Sequence, residues 1–160
     1  MCLPGLLPAN AQVYLSKVEL VDFDNDSKTA VFFSEGYGAN KKDAVENSRI
    51  AVLRKLLYEG VEGINDDLPI IKRSADDNVW LKDFFNGKAA PYNSFLGEIE
   101  VIGDFKETDM NQFYCKTHVV VKYGFLKRQA KIQGLTDTIL PTFGSETNVV
   151  TPPRTPQVFY

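Results

Sequence analysis

Ser34 to Gly60 reads SEGYGANKKDAVENSRIAVLRKLLYEG, and its pattern demands one long amphipathic helix. Apolar or small residues recur at Ala44, Val45, Ser48, Ala51, Val52, Leu53, Leu56 and Leu57. That is the spacing of a helix with one wide buried stripe. Lys41, Lys42, Glu46, Arg49, Arg54 and Lys55 fall largely outside it. Ala44, Ser48 and Ala51 are small, so the helix backbone can approach a sheet closely there. Asn40 is placed to cap the helix, because its side-chain oxygen can accept from a free backbone N–H of the first turn. Asp43 and Glu46 add negative charge near the positive end of the helix dipole. Gly60 suits the left-handed residue that ends a helix.

Gly36-Tyr37-Gly38, just before the helix, resembles the start of a phosphate-binding loop. The dinucleotide fingerprint needs a third glycine where Lys41 stands, and a βαβ unit around it. Neither is present. The expectation is a tight turn whose glycines supply positive φ.

The rest of the chain reads as two hairpins and two shorter helices. Gln12 to Phe23 and Lys28 to Glu35 are rich in β-branched and aromatic residues and flank the turn cluster Asp24-Asn25-Asp26-Ser27. Asp76 or Asp77 is expected to cap a helix over Asn78 to Asn86, ended by Gly87. Gly97 to Lys106 alternates, with Ile99, Val101 and Phe105 on one face. Asn111 to Tyr123 pairs with it and points Phe113, Cys115, Thr117, Val119 and Val121 one way. A last helix runs from about Phe125 to Gln133, stops at Gly134, and leaves Leu135 to make the contact beyond the cap. The order β-β-α-α-β-β-α predicts an α+β fold. An antiparallel sheet of about four strands carries the long helix on one face.

Length allows one core, and about two-thirds of the unfolded surface would be buried by it. The domain is expected over residues 12–140. Residues 141–160 hold four prolines (141, 152, 153 and 156) without periodicity and read as an extended tail. With 18 basic against 21 acidic residues the net charge is −3, which argues against a general nucleic-acid surface. No run of 18 apolar residues predicts a transmembrane segment. Residues 1–11 are uncharged and end Ala9-Asn10-Ala11, the A-x-A pattern of a signal-peptidase site. They read as the end of a signal peptide that starts further upstream, cut before Gln12. Export to the periplasm or outer membrane follows. A lipid-bearing Cys2 is the variant of that reading. Without Cys2, Cys115 stands alone, so no internal disulfide is expected.

The segment GYGANKKDAVENSRIAVLRKLLYEGV, then WLKDFF, then the hairpin with VKYGFLKRQA, resembles a group of small exported proteins of unknown function from Bacteroides-type bacteria. More loosely, it is similar to the amino-terminal module of the flagellar assembly protein T and to related envelope lipoproteins. The likeness covers roughly residues 13–135. Its marks are structural: the glycine turn, Asn47, and the pair Phe84-Phe85. It implies a non-catalytic envelope module with a protein partner, and carries over no active-site residue.

Several constellations suggest chemistry. Asp22, Asp24 and Asp26 have the spacing of the start of a calcium loop, but Ser27 and Phe33 stand where glycine and glutamate are required. A solvated hairpin tip is the competing reading. His118, the single histidine, falls on the opposite strand face from Cys115, so no Cys–His dyad forms. Glu98 and Glu100 share a face about 7 Å apart, a spacing glycosidases use, although acids on an exposed strand are common. Asp66-Asp67 and Asp76-Asp77 lie in a loop. Trp80, Phe84, Phe85, Tyr92 and Phe95 fall within 16 residues and read either as a satellite core or as a ligand or partner surface. No cofactor signature is present. The expected function is therefore protein contact, not catalysis; the alternative is a small-ligand module built on Trp80 to Phe95.

Overall fold

A computed structural model describes residues 16–72, 78–86 and 90–136. The leader 1–11, the tail 141–160, the Asp76-Asp77 pair and Gly87 lie outside the described residues. The sheet has four antiparallel strands: β1 (Val18–Asp24), β2 (Thr29–Gly38), β3 (Leu96–Glu107) and β4 (Phe113–Val121). Their order is β1-β2-β4-β3, so the two hairpins join through β2 and β4 at the centre. The helices are α1 (Lys41–Arg54), α2 (Val79–Phe84) and α3 (Tyr123–Ile132). The architecture is the α+β arrangement expected, in the order β-β-α-α-β-β-α.

The long helix forms where its pattern requires. Asn40 Oδ1 accepts from Asp43 N at 2.8 Å. Ala44, Ser48, Ala51, Val52 and Leu53 are buried against the sheet. After Arg54 the helix widens into one π turn, Lys55–Glu59, and stops at Gly60, whose φ is 92°. The wider turn leaves carbonyls free. Leu56 O and Leu57 O accept from Ile70 N (2.9 Å) and Ile71 N (3.0 Å), which ties the following loop to the helix end.

Gly36 and Gly38 do not form the tight turn expected of them. They belong to the end of β2, which runs three residues past Glu35. Neither has positive φ. Their role is space. A Cβ on Gly36 would overlap Ala44 O and lie 2.8 Å from Ser48 Cβ; one on Gly38 would lie 2.5 Å from Ala44 N. Glycine on the strand and small residues on α1 let the two backbones touch. A buried polar network fixes the contact: Ser34 Oγ donates to Ser48 O (2.8 Å), and Thr117 Oγ1 donates to Ser48 Oγ (2.9 Å).

Other boundaries shift for local reasons. Asn78 caps α2 by accepting from Leu81 N at 3.0 Å, so the cap is one residue later than expected, and the helix stops at Phe84. The alternation of β3 is broken by a register shift between Ile102 and Lys106, around Gly103 at φ 71°. β4 points Cys115, Thr117, Val119 and Val121 into the core. Gly134 (φ 74°) ends α3, and Leu135 is buried beyond it. All three helices contribute to one core with Phe32, Leu53, Leu57, Phe84, Val119 and Leu126. Among the described residues no helix is long and apolar enough to cross a membrane.

Candidate functional site

Trp80, Phe84 and Phe85 come from α2 and the turn after it. Tyr92 and Phe95 come from a 3-10 turn, Pro91–Phe95, that leads into β3. The structure brings all five together. Ring centroids are 4.8 Å apart for Trp80–Phe84 and Phe84–Phe85, 5.4 Å for Phe84–Phe95 and 6.0 Å for Phe85–Tyr92. Phe125 of α3 stacks on Phe95 at 4.8 Å and extends the group. It lies 30 residues further along the chain, so proximity in sequence does not include it. Phe84 has no exposed surface, and Tyr92 and Phe95 are buried; Trp80 and Phe85 are half-buried against the core. The group is a packed extension of the core.

Its outer boundary is polar. The Arg54 guanidinium lies 4.3 Å from the centre of the Phe85 ring. The Tyr92 hydroxyl donates to Glu46, whose other oxygen holds Arg49 Nη1 at 2.8 Å. Burial, and then the Glu46 carboxylate, raise the Tyr92 pKa, so the hydroxyl stays protonated. This is a clamp between α1 and the segment before β3.

Asp24 is committed to the hairpin turn. Its Oδ1 accepts from Asp26 N at 2.9 Å and its Oδ2 from Ser27 Oγ at 2.8 Å. These bonds, led by Ser27, lower its pKa. Asp22 pairs with Val31 across β1 and β2, and Asp26 is exposed in the turn. Among the described residues no group of three His, Cys, Asp or Glu side chains is placed to hold a metal ion. Cys115 is a free, buried thiol whose pKa burial pushes up to about 11. His118 Nδ1 lies 3.4 Å from Glu100 Oε1 on the other face of the sheet.

That other face was not among the expected sites. α1 contacts the central strands from one side, where Ala30, Phe32, Ser34, Gly36 and Gly38 alternate inward. Outward from β2 stand Val31, Phe33, Glu35 and Tyr37, each half-buried. The β4 register sets Val120, His118, Lys116 and Tyr114 beside them, in that order. The Tyr37 and Tyr114 rings are 5.0 Å apart, and Tyr114 Oη donates to Glu35 Oε2 at 2.5 Å. Burial first, and Glu35 after it, raise the Tyr37 pKa. Charged residues flank these columns, Glu19 and Asp22 on the β1 side and Glu100 and Lys106 on the β3 side, and the Lys17 ammonium lies 5.9 Å from the centre of the Phe33 ring. The signal was legible in TAVFFSEGYG, which is apolar at both even and odd positions.

A cleft of about 540 Å³ follows the free edge of β1, lined by Lys17, Val18, Glu19, Leu20, Lys55 and Val61 among others. Lys17 pairs with Glu19 (3.3 Å) and Lys55 with Glu59 (2.9 Å), and Glu62 also lines the cleft.

No protein-family model, curated protein or solved structure matches this chain.

Proposed function

We propose that this chain is a non-catalytic module of the cell envelope that works through protein contact, and that the contact surface is the outer face of the sheet. The observation that carries this reading is the pair of columns on β2 and β4. Val31, Phe33, Tyr37, Tyr114 and Val120 put apolar and aromatic surface, crossed by Glu35, Lys116 and His118, on strands whose other face is already filled by the core. Aromatic side chains are enriched at protein interfaces, and this face presents Phe33, Tyr37 and Tyr114 together. Export is supported by the Ala9-Asn10-Ala11 pattern. The non-catalytic reading is supported by side-chain placement: the one histidine and Cys115 occupy opposite faces of β4. The closed packing around Phe84 favours a core role for the aromatic group over the small-ligand alternative.

The test is site-specific photo-crosslinking in the source cells. A crosslinker at Phe33 or Tyr37 should give discrete protein adducts, and one at Lys82 on α2 should give none. Equal or absent labelling from all three positions would refute the reading.

A further inference from the structure

We infer that the free edge of β1 binds an extended segment of another protein, which adds to the sheet as a further strand and lays two aliphatic side chains in the cleft beside it. The site is separate from the outer face and stands without the contact reading above.

The backbone supplies the first argument. Lys17 O accepts from Glu35 N at 3.1 Å, and Val18 stands opposite Ser34. In an antiparallel ladder, alternate residues bond to the neighbouring strand. Lys17 and Glu19 therefore bond to β2, while the N–H and C=O groups of Val18 and Leu20 point away from it. β1 ends the sheet, so among the described residues no strand meets these groups. They repeat every ~6.8 Å, and an extended chain returns donors and acceptors at that repeat. The edge of β3 is poorer. Its register shifts twice, between Leu96 and Ile99 and between Ile102 and Lys106, and bulges of this kind blunt an edge. β1 stays regular up to Leu20 and shifts only beyond it.

The cleft says which segment fits. Val18 and Leu20 stand opposite the inward residues Ser34 and Phe32, so their side chains lie on the α1 side of the sheet. On that side the cleft is bounded by Lys55 of the π turn and by Val61 and Glu62. Residues of an added strand that pair with Val18 and Leu20 point the same way. They fall at i and i+2 and meet Val18, Leu20 and Val61, which favours aliphatic side chains. A Cβ on Gly63 would lie 3.2 Å from Leu20 Cδ2, which places Glu62 at the Leu20 end. Glu62 is exposed and forms no ion pair among the described residues. A cation at the next inward position beyond Leu20 complements it. The β1 edge of a second copy brings no such cation, because its inward residues are Val18, Leu20 and Phe23.

Titration of the isotope-labelled full chain with the peptide acetyl-Lys-Thr-Val-Thr-Val-Thr-amide, followed by NMR, tests this. Running antiparallel to β1, its valines fall opposite Leu20 and Val18 and its lysine reaches the Glu62 end. Binding should saturate with a Kd on the order of 100 µM, with the largest amide shifts at Val18 and Leu20. N-methylation of both valines removes the backbone donors and keeps the side chains; it should weaken binding at least about tenfold. A peptide of the same composition with adjacent valines should lose at least about fivefold, since one valine then faces away from the cleft. Val18→Pro removes an N–H that the ladder does not use and should abolish binding. Glu62→Lys should weaken it at least about threefold. Thermal melting by circular dichroism checks both folds; Glu62 is exposed, so its variant keeps the test valid if Val18→Pro unfolds. No saturable binding up to about 2 mM, or binding indifferent to N-methylation, would overturn the proposal. Shifts confined to Phe33, Lys116 and Tyr114 would put the peptide on the outer face and overturn it too. So would a chain that dimerises alone in sedimentation and loses the dimer in Val18→Pro, since the edge would then belong to a second copy.

Discussion

Gly36→Ala is the sharpest test of how α1 is held. Gly36 has no positive φ, so alanine can adopt its backbone. Only space forbids it. The new Cβ would overlap the Ala44 carbonyl oxygen and stand 2.8 Å from Ser48 Cβ and N. Backbone atoms on a helix cannot rotate aside, so the first half of α1 has to move away by more than half an ångström. Overpacking of this kind costs about 1–3 kcal/mol. The retreat also stretches Ser34 Oγ to Ser48 O and Thr117 Oγ1 to Ser48 Oγ, both buried. Each weakened bond adds roughly 1 kcal/mol. The total is about 3–5 kcal/mol, a large share of the 5–15 kcal/mol typical of a domain.

Gly103→Ala is the matched control. Gly103 has φ +71°, and a Cβ placed there would have no atom within 4 Å. Alanine there meets strain without a clash, at about 1 kcal/mol. Urea unfolding followed by circular dichroism should separate the two, with Gly36→Ala losing at least about 2 kcal/mol more than Gly103→Ala. If the two variants lose the same amount, Gly36 serves as a flexible turn residue and the close-contact account is wrong.

Three further outcomes follow from the site geometry. Phe84→Ala removes the ring at the centre of the aromatic group and should cost about 3–5 kcal/mol in the same urea assay; a loss under about 1 kcal/mol would mean the group is not core. Cys115 should resist a thiol reagent at pH 8 in the folded chain and react once urea is added. Its folded pKa of about 11 lies above the ordinary thiol value of 9.0. Its contribution to stability is therefore complete below pH 9 and lost as pH rises towards 11. Cys115→Ala should flatten that part of the stability curve. Calorimetric titration with millimolar calcium should give no binding heat, because Asp24 is already engaged by Asp26 N and Ser27 Oγ.

The long helix was legible because its signals agree at every level: cap, charge, stripe and terminal glycine all point to Asn40–Gly60. The inward face of β4 was legible for the same reason, since alternation over Cys115 to Val121 has one solution. Gly36 and Gly38 were misread because a glycine pair before a helix has two physical uses. Local sequence cannot distinguish positive φ from close approach; the partner that decides, Ala44, contributes its backbone and not its side chain. The bulge at Gly103 was missed since a single glycine in an alternating strand leaves the pattern nearly intact. The π turn was invisible because Leu56 and Leu57 keep the stripe, and the widening shows only when Ile70 and Ile71 bond to their carbonyls.

β2 links the fold to the proposed function. A strand buried on one face usually alternates apolar and polar residues. β2 does not, since Val31, Phe33 and Tyr37 face outward while Ala30 and Phe32 face the core. Such a strand suits a sheet covered on both sides, yet among the described residues α1 and its neighbours occupy only one. The close approach that Gly36 and Gly38 permit draws α1 tightly onto that side. It does nothing for the other face, where Val31, Phe33 and Tyr37 stand in one column with Glu35. Replacing outward residues at the centre therefore separates two roles within one strand. Phe33→Lys should cost no more than about 1 kcal/mol in the urea assay, since the ring is half-buried and lies outside the core, and should abolish the protein adducts formed by a crosslinker at Tyr37. A variant that unfolds instead would assign Phe33 to the core and remove the outer face as a contact surface.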